Sequence, residues 1–246
     1  MRIIGARLLS LFFCLTYIQV FAQQQDAAVI FKFSWDNGRP TNYTITIRRN
    51  GNAEYLSEDR SLSPLQDRNQ PVESNAEQTT QSLDAAGQNA FTKQFRASDS
   101  VREKIFVLAE QARFFDGNFD FTKHVIAQTG SKTLSYVDAN RRTSTTYNYS
   151  EDPAIQELTA IFQGISQTIE GGRKLEFDRR FDKLSLDADL RALEDLSKDG
   201  HLYEVQAITP QLQKIANDRT VLHIAQERAQ RILRRAGQPT APTPAE

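Results

Sequence analysis

Val29-Ile30-Phe31-Lys32-Phe33-Ser34-Trp35, followed by Tyr43-Thr44-Ile45-Thr46-Ile47-Arg48, decides how this 246-residue chain folds. Val29, Phe31, Phe33 and Trp35 alternate with Ile30, Lys32 and Ser34, the period of two that a half-buried strand requires. In the second run Tyr43, Ile45 and Ile47 alternate with Thr44, Thr46 and Arg48, and β-branched residues suit a pleated surface. Asp36-Asn37-Gly38-Arg39-Pro40 supplies the turn between them. Asn50-Gly51 marks a tight positive-φ hairpin, so Ala53 to Leu56 is the returning strand. Three antiparallel strands are expected to open the domain.

Downstream, residues 58–90 are rich in Ser, Gln, Asn, Asp and Glu and carry Pro64 and Pro71. Such a stretch has too little apolar surface to fold alone and reads as a disordered insertion. Phe91 to Arg96 returns to strand. Ser100 with Glu103 three residues later reads as a capping box, and Val101, Ile105, Leu108, Ala109, Ala112 and Phe115 then share one helical face ending at Asp116-Gly117. Three more strands are expected at about 118–128, 132–138 and 143–149. Asp152-Pro153 begins a second helix with Asp at its cap and Pro at its first position. Ile155, Leu158, Phe162, Ile165 and Ile169 continue it, and Gly171-Gly172 is expected to break or kink it. The order of elements predicts an α+β fold, an antiparallel sheet with helices packed on one face. From Arg173 to about Arg235 leucine and isoleucine stripes predict a helical tail or small subdomain. Gly237 to Glu246, with three prolines, reads as a disordered terminus.

Residues 1–22 read as a secretory signal peptide. Arg2 and Arg7 precede an apolar run from Leu8 to Val20, and Val20-Phe21-Ala22 suits cleavage before Gln23. The run is shorter than the roughly 20 residues that span a hydrocarbon core, so no membrane span is expected after cleavage. The expected organisation is thus 1–22 leader, 23–170 α+β domain, 173–235 helical tail and 236–246 terminus. The sole cysteine, Cys14, lies in the leader and lacks the small preceding residue that lipid attachment needs. Cleavage would leave a disulfide-free domain that depends on packing. Losing Arg2 and Arg7 takes 30 basic residues to 28 against 31 acidic ones, a net charge of about −3. That balance gives no electrostatic footprint for nucleic acid, and a bacterial periplasmic or secreted location is expected.

Chemistry-bearing motifs are few. Asp195, Ser197 and Asp199, with Gly200 and Leu202, match the early positions of a calcium loop, but the twelfth position is Gln206 and cannot supply the closing bidentate carboxylate. The competing reading is a helix end with Gly200 left-handed. His124, His201 and His223 are not paired at metal-binding spacing, with His124 expected on a strand. Asp116 and Asp120 could form an acid–base pair, although Asp-Gly-Asn clusters also make turns. No Gly-x-Ser-x-Gly, Ser-x-x-Lys or His-Glu-x-x-His motif occurs, so no catalytic residue and no cofactor are expected. If one sheet face were uncovered, Tyr136, Tyr147 and Tyr149 with Arg141 and Arg142 would form a binding surface.

The wording of Ile105-Phe106-Val107-Leu108-Ala109, of Phe114-Phe115-Asp116-Gly117-Asn118-Phe119-Asp120 and of Lys132-Thr133-Leu134-Ser135-Tyr136 resembles a family of exported bacterial proteins of acidobacterial type. The resemblance implies export and carries no activity. Together these readings predict a non-catalytic binding or envelope-associated protein with an unidentified protein or envelope partner. The alternatives are an inhibitor of an extracellular enzyme and a hydrolase built from scattered carboxylates.

Overall fold

A computed structural model describes residues 26–58 and 90–237; the leader with Cys14, the polar insertion and the proline-containing terminus lie outside the described residues. Among the described residues six strands pair antiparallel: β1 (Ala28–Ser34), β2 (Asn42–Arg48), β3 (Asn52–Glu58), β4 (Ala90–Arg96), β5 (Ser131–Val137) and β6 (Arg142–Tyr147). Their order is β4-β3-β2-β1-β5-β6, so the most apolar strand has a partner on each side. Phe31 lies opposite both Ile45 and Leu134. With side chains alternating, this register sets Val29, Phe31, Ile45, Ile47, Tyr55 and Leu134 on one face, all fully buried. Helices α1 (Asp99–Gln111) and α2 (Pro153–Phe181) cover that face with Ile105, Phe106, Leu158, Phe162 and Ile165. Phe31 stacks on Phe162, the ring centroids 5.1 Å apart. The opposite face, with Lys32, Thr44, Thr46, Leu56, Thr133 and Ser135, takes no part in this core. The protein is an α+β fold with its later helices following the sheet.

The helix starts show which local signals held. Asp152 caps α2, its carboxylate accepting from the Ala154 and Ile155 amides at 2.9 and 3.1 Å. The capping box expected at Ser100 and Glu103 does not form, because α1 begins at Asp99 and Ser100 is already helical. Glu204, distant in sequence, takes that place and accepts from the Ser98 amide at 3.0 Å and the Ser98 hydroxyl at 3.0 Å. A carboxylate there also meets the positive end of the α1 dipole.

No break occurs at Gly171-Gly172, and α2 runs unbroken across the boundary expected near residues 170–173. A Cβ on Gly172 would lie 2.2 Å from Ile208 Cγ2, and one on Gly171 would lie 2.7 Å from Leu193 Cδ2. These glycines are points of close approach, where the second core seats itself on α2. That core comprises Leu175 of α2 with α3 (Leu186–Lys198), α4 (Thr209–Ala216) and α5 (His223–Arg235), through Leu190, Leu212, Ala229 and Ile232. Gly172→Ala is therefore expected to destabilise the protein by about 1–3 kcal/mol, since overpacking exceeds the helix gain of up to ~1 kcal/mol. A higher denaturation midpoint for this variant in urea would refute the close-approach account.

The strand expected over 118–128 is absent, and these residues form an irregular connection beside β6. Asn148 pins it, donating from Nδ2 to the Ala127 carbonyl at 3.0 Å and accepting from the Thr129 amide at 2.9 Å. Side-chain bonds of this kind replace a strand ladder. His124 consequently lies in this connection, exposed, with its ring 5.9 Å from that of Phe121. The chain enters it through a left-handed turn in which Arg113, Phe114 and Phe115 have φ of 52°, 55° and 67°. Each costs roughly 1–2 kcal/mol, offset by full burial of Phe115 and by the hydrogen bond that the Thr143 hydroxyl donates to the Phe114 carbonyl.

Candidate binding cleft

Lys132 occupies an inward position of β5, the same parity as Leu134 and Tyr136, and is only 5% exposed. Its ammonium donates to the Asn148 carbonyl at 2.8 Å, the Thr129 hydroxyl at 3.0 Å, the Gly130 carbonyl at 3.1 Å and the Thr129 carbonyl at 3.3 Å. Gly130 makes this cage possible. Its φ is +93°, and an added Cβ would lie 2.8 Å from the Phe33 ring. Burial holds the Lys132 ammonium below the usual lysine range. Among the described residues, the partners of its ammonium are these neutral oxygens and, 5.7 Å away, the Phe33 ring. A buried cation solvated only by neutral oxygens leaves a local excess of positive charge.

The charge borders a cleft of about 290 Å³ between the β6 edge and the first turns of α2. Tyr147, Tyr149, Thr159, Ala160 and Gln163 form its walls. The Tyr147 hydroxyl lies 2.7 Å from Thr159 Oγ1, and burial pushes its proton affinity well above the usual phenol range. Gln156 Nε2 donates to the Ser150 carbonyl at 2.9 Å and to the Tyr149 hydroxyl at 3.2 Å, fixing the rim. This arrangement can hold a ligand against a fixed positive charge. It offers the lysine no free lone pair and places no base beside it, so it does not resemble an activated nucleophile.

The tyrosines and arginines expected to share one surface are separated. Tyr136 and Tyr147 point into the helix-covered core, 5% and 3% exposed, because their strand parity matches Leu134 and Thr145. Tyr136 packs against Phe114 at 4.6 Å and Phe106 at 6.5 Å. Tyr149 alone of the three is open, at 45%. Arg141 lies over the Phe114 ring at 4.1 Å, and Arg142 belongs to the opposite sheet face. The uncovered face is the threonine-rich one, which carries none of the three tyrosines.

Asp195 and Ser197 sit within α3, and Asp199 with Gly200 ends it. Gly200 has φ of +75° and the His201 amide donates to the Leu196 carbonyl at 2.9 Å, a Schellman terminus that replaces the calcium loop. Asp195 instead accepts from Lys198 at 2.7 Å. Asp116 is exposed in its turn, whereas Asp120 accepts from the Asn148 amide at 2.9 Å and so positions the residue that holds Lys132. Among the described residues no three His, Cys, Asp or Glu side chains gather as a metal site. No described helix is long and apolar enough to cross a membrane.

Sequence reasoning passed over Lys132, although one signal marked it: a lysine in phase with Leu134 and Tyr136 on a strand. No protein-family model matches the chain, and no curated protein is similar to it.

Proposed function

We propose that this chain is an exported, non-catalytic binding domain of a bacterial periplasm or cell surface, with its ligand site in the Lys132 cleft. The caged ammonium carries the reading, for a cation held by four fixed oxygens is suited to attract and orient rather than to attack. Export rests on the leader and on the thiol-free composition that its removal leaves. The acidobacterial-type resemblance supports the same compartment.

Two measurements test this proposal. Fractionation of the native bacterium should find the chain outside the cytoplasm and shortened at Gln23; a full-length cytosolic chain would contradict export. A small-molecule fragment screen read by backbone amide shifts should cluster its strongest responses on Thr129, Asn148, Gln156 and Gln163. Responses confined to α3–α5, or turnover of a fragment, would sink the binding reading.

A further inference from the structure

We infer that the cleft takes a small monocarboxylate, its anionic end at Lys132 and its apolar body along Tyr147 and Ala160, an inference that rests on the binding reading above. Charge gives the first argument. Four oxygens compete for three ammonium hydrogens, and the Thr129 carbonyl at 3.3 Å is the longest contact. A carboxylate oxygen can replace it and leave every hydrogen paired, with a charge-assisted bond gained.

The surroundings limit the anion to one charge. No second cation of the cleft wall accompanies Lys132. The nearby α2 N-terminus, often an anion site, is closed, because Asp152 already accepts from the Ala154 and Ile155 amides. A phosphate dianion would thus be left half-neutralised, whereas a carboxylate matches the single lysine.

Size and lining fix the rest of the ligand. At about 290 Å³ the cleft lies at the small end of the roughly 300–1,000 Å³ typical of ligand pockets, which suits a short acid. The Tyr147 ring and the Ala160 methyl offer apolar surface, and the Gln163 amide offers a polar contact beside it.

Amide shifts of the exported chain should be followed at neutral pH with hexanoate, hexan-1-ol and hexylamine. Hexanoate is expected to shift Thr129, Asn148 and Gln163 and to bind at least tenfold tighter than hexanol, with hexylamine shifting none of them. Lys132→Met should abolish the tenfold preference while hexanol still binds, and Ala160→Phe, at an exposed helix position, should block both. Equal affinity for hexanoate and hexanol in the wild-type protein would overturn the inference, whether or not Lys132→Met folds. That outcome would leave the cleft standing as a site. Failure of all three probes to shift cleft residues would overturn the carboxylate assignment too, and the fragment screen above would then decide the binding reading separately.

Discussion

Glu194→Ala is expected to destabilise the helical region by about 3–5 kcal/mol, enough to unfold α3 and α5 before the sheet. Glu194 is 3% exposed on α3 and faces three arginines of α5. It accepts from Arg228 at 2.8 Å and from Arg231 at 2.8 and 3.3 Å, with Arg235 at 4.0 Å. Hydrogen bonds from Arg231, then Arg228, hold its carboxyl at about 2 against the burial that opposes ionisation. Truncation would leave those guanidinium groups crowded and short of an acceptor, with Asp187 retaining only Arg228 at 2.7 Å. Because the folded-state value lies below the unfolded one, this stabilisation is present above about pH 4.5 and fades as pH falls toward 2. Hydrogen exchange of α5 amides reads the effect. Unchanged protection in α5 of Glu194→Ala would show that the arginines find other partners.

Asp178→Asn is expected to act in the opposite direction, stabilising the protein at pH 8 by up to about 3 kcal/mol and changing little near pH 4. Asp178 on α2 is 4% exposed and pairs with Asp189 on α3. Neither Oδ2 has a hydrogen-bond partner, so the Asp178 carboxyl is buried beside a second acidic group with nothing to satisfy that oxygen. Burial first, then Asp189, pushes Asp178 up to about 6, with Asp182 adding to the rise and Lys174, 3.9 Å away, opposing it. A raised carboxyl favours folding fully below its unfolded value near 3.8, and that contribution is lost as pH climbs through about 6. An amide removes the buried negative charge at every pH. Urea titrations of both proteins at pH 4, 6 and 8 should diverge progressively; parallel curves would mean that Asp178 titrates normally.

Local patterns told most of the fold. The alternation through Val29 to Ile47 gave both the strands and the buried face, since each neighbour in that sheet repeats the same period. Asp152-Pro153 located the start of α2 because its cap is made within three residues. Signals failed where a distant segment supplied the partner. Glu204 replaced the capping box at Ser100, and Leu193 with Ile208 gave Gly171-Gly172 a packing role where composition suggested a break. Residues 118–128 were expected as a strand, yet Asn148 holds them by side-chain bonds. The candidate site was the least legible part. Tyr136 and Tyr147 were expected on a binding surface, yet strand parity turns them inside, and the same parity applied to Lys132 would have found the charge that borders the cleft.

The state of the Lys132 ammonium tests this account most directly. Nitrogen-detected spectra of lysine side chains at neutral pH should show one slowly exchanging, fully protonated ammonium, assigned by its loss in Lys132→Met and shifted by hexanoate. Amine-reactive labelling should leave Lys132 among the least modified lysines, well behind the exposed Lys123. A neutral, rapidly labelled Lys132 amine would contradict the claim and point to a nucleophile instead of a binding charge.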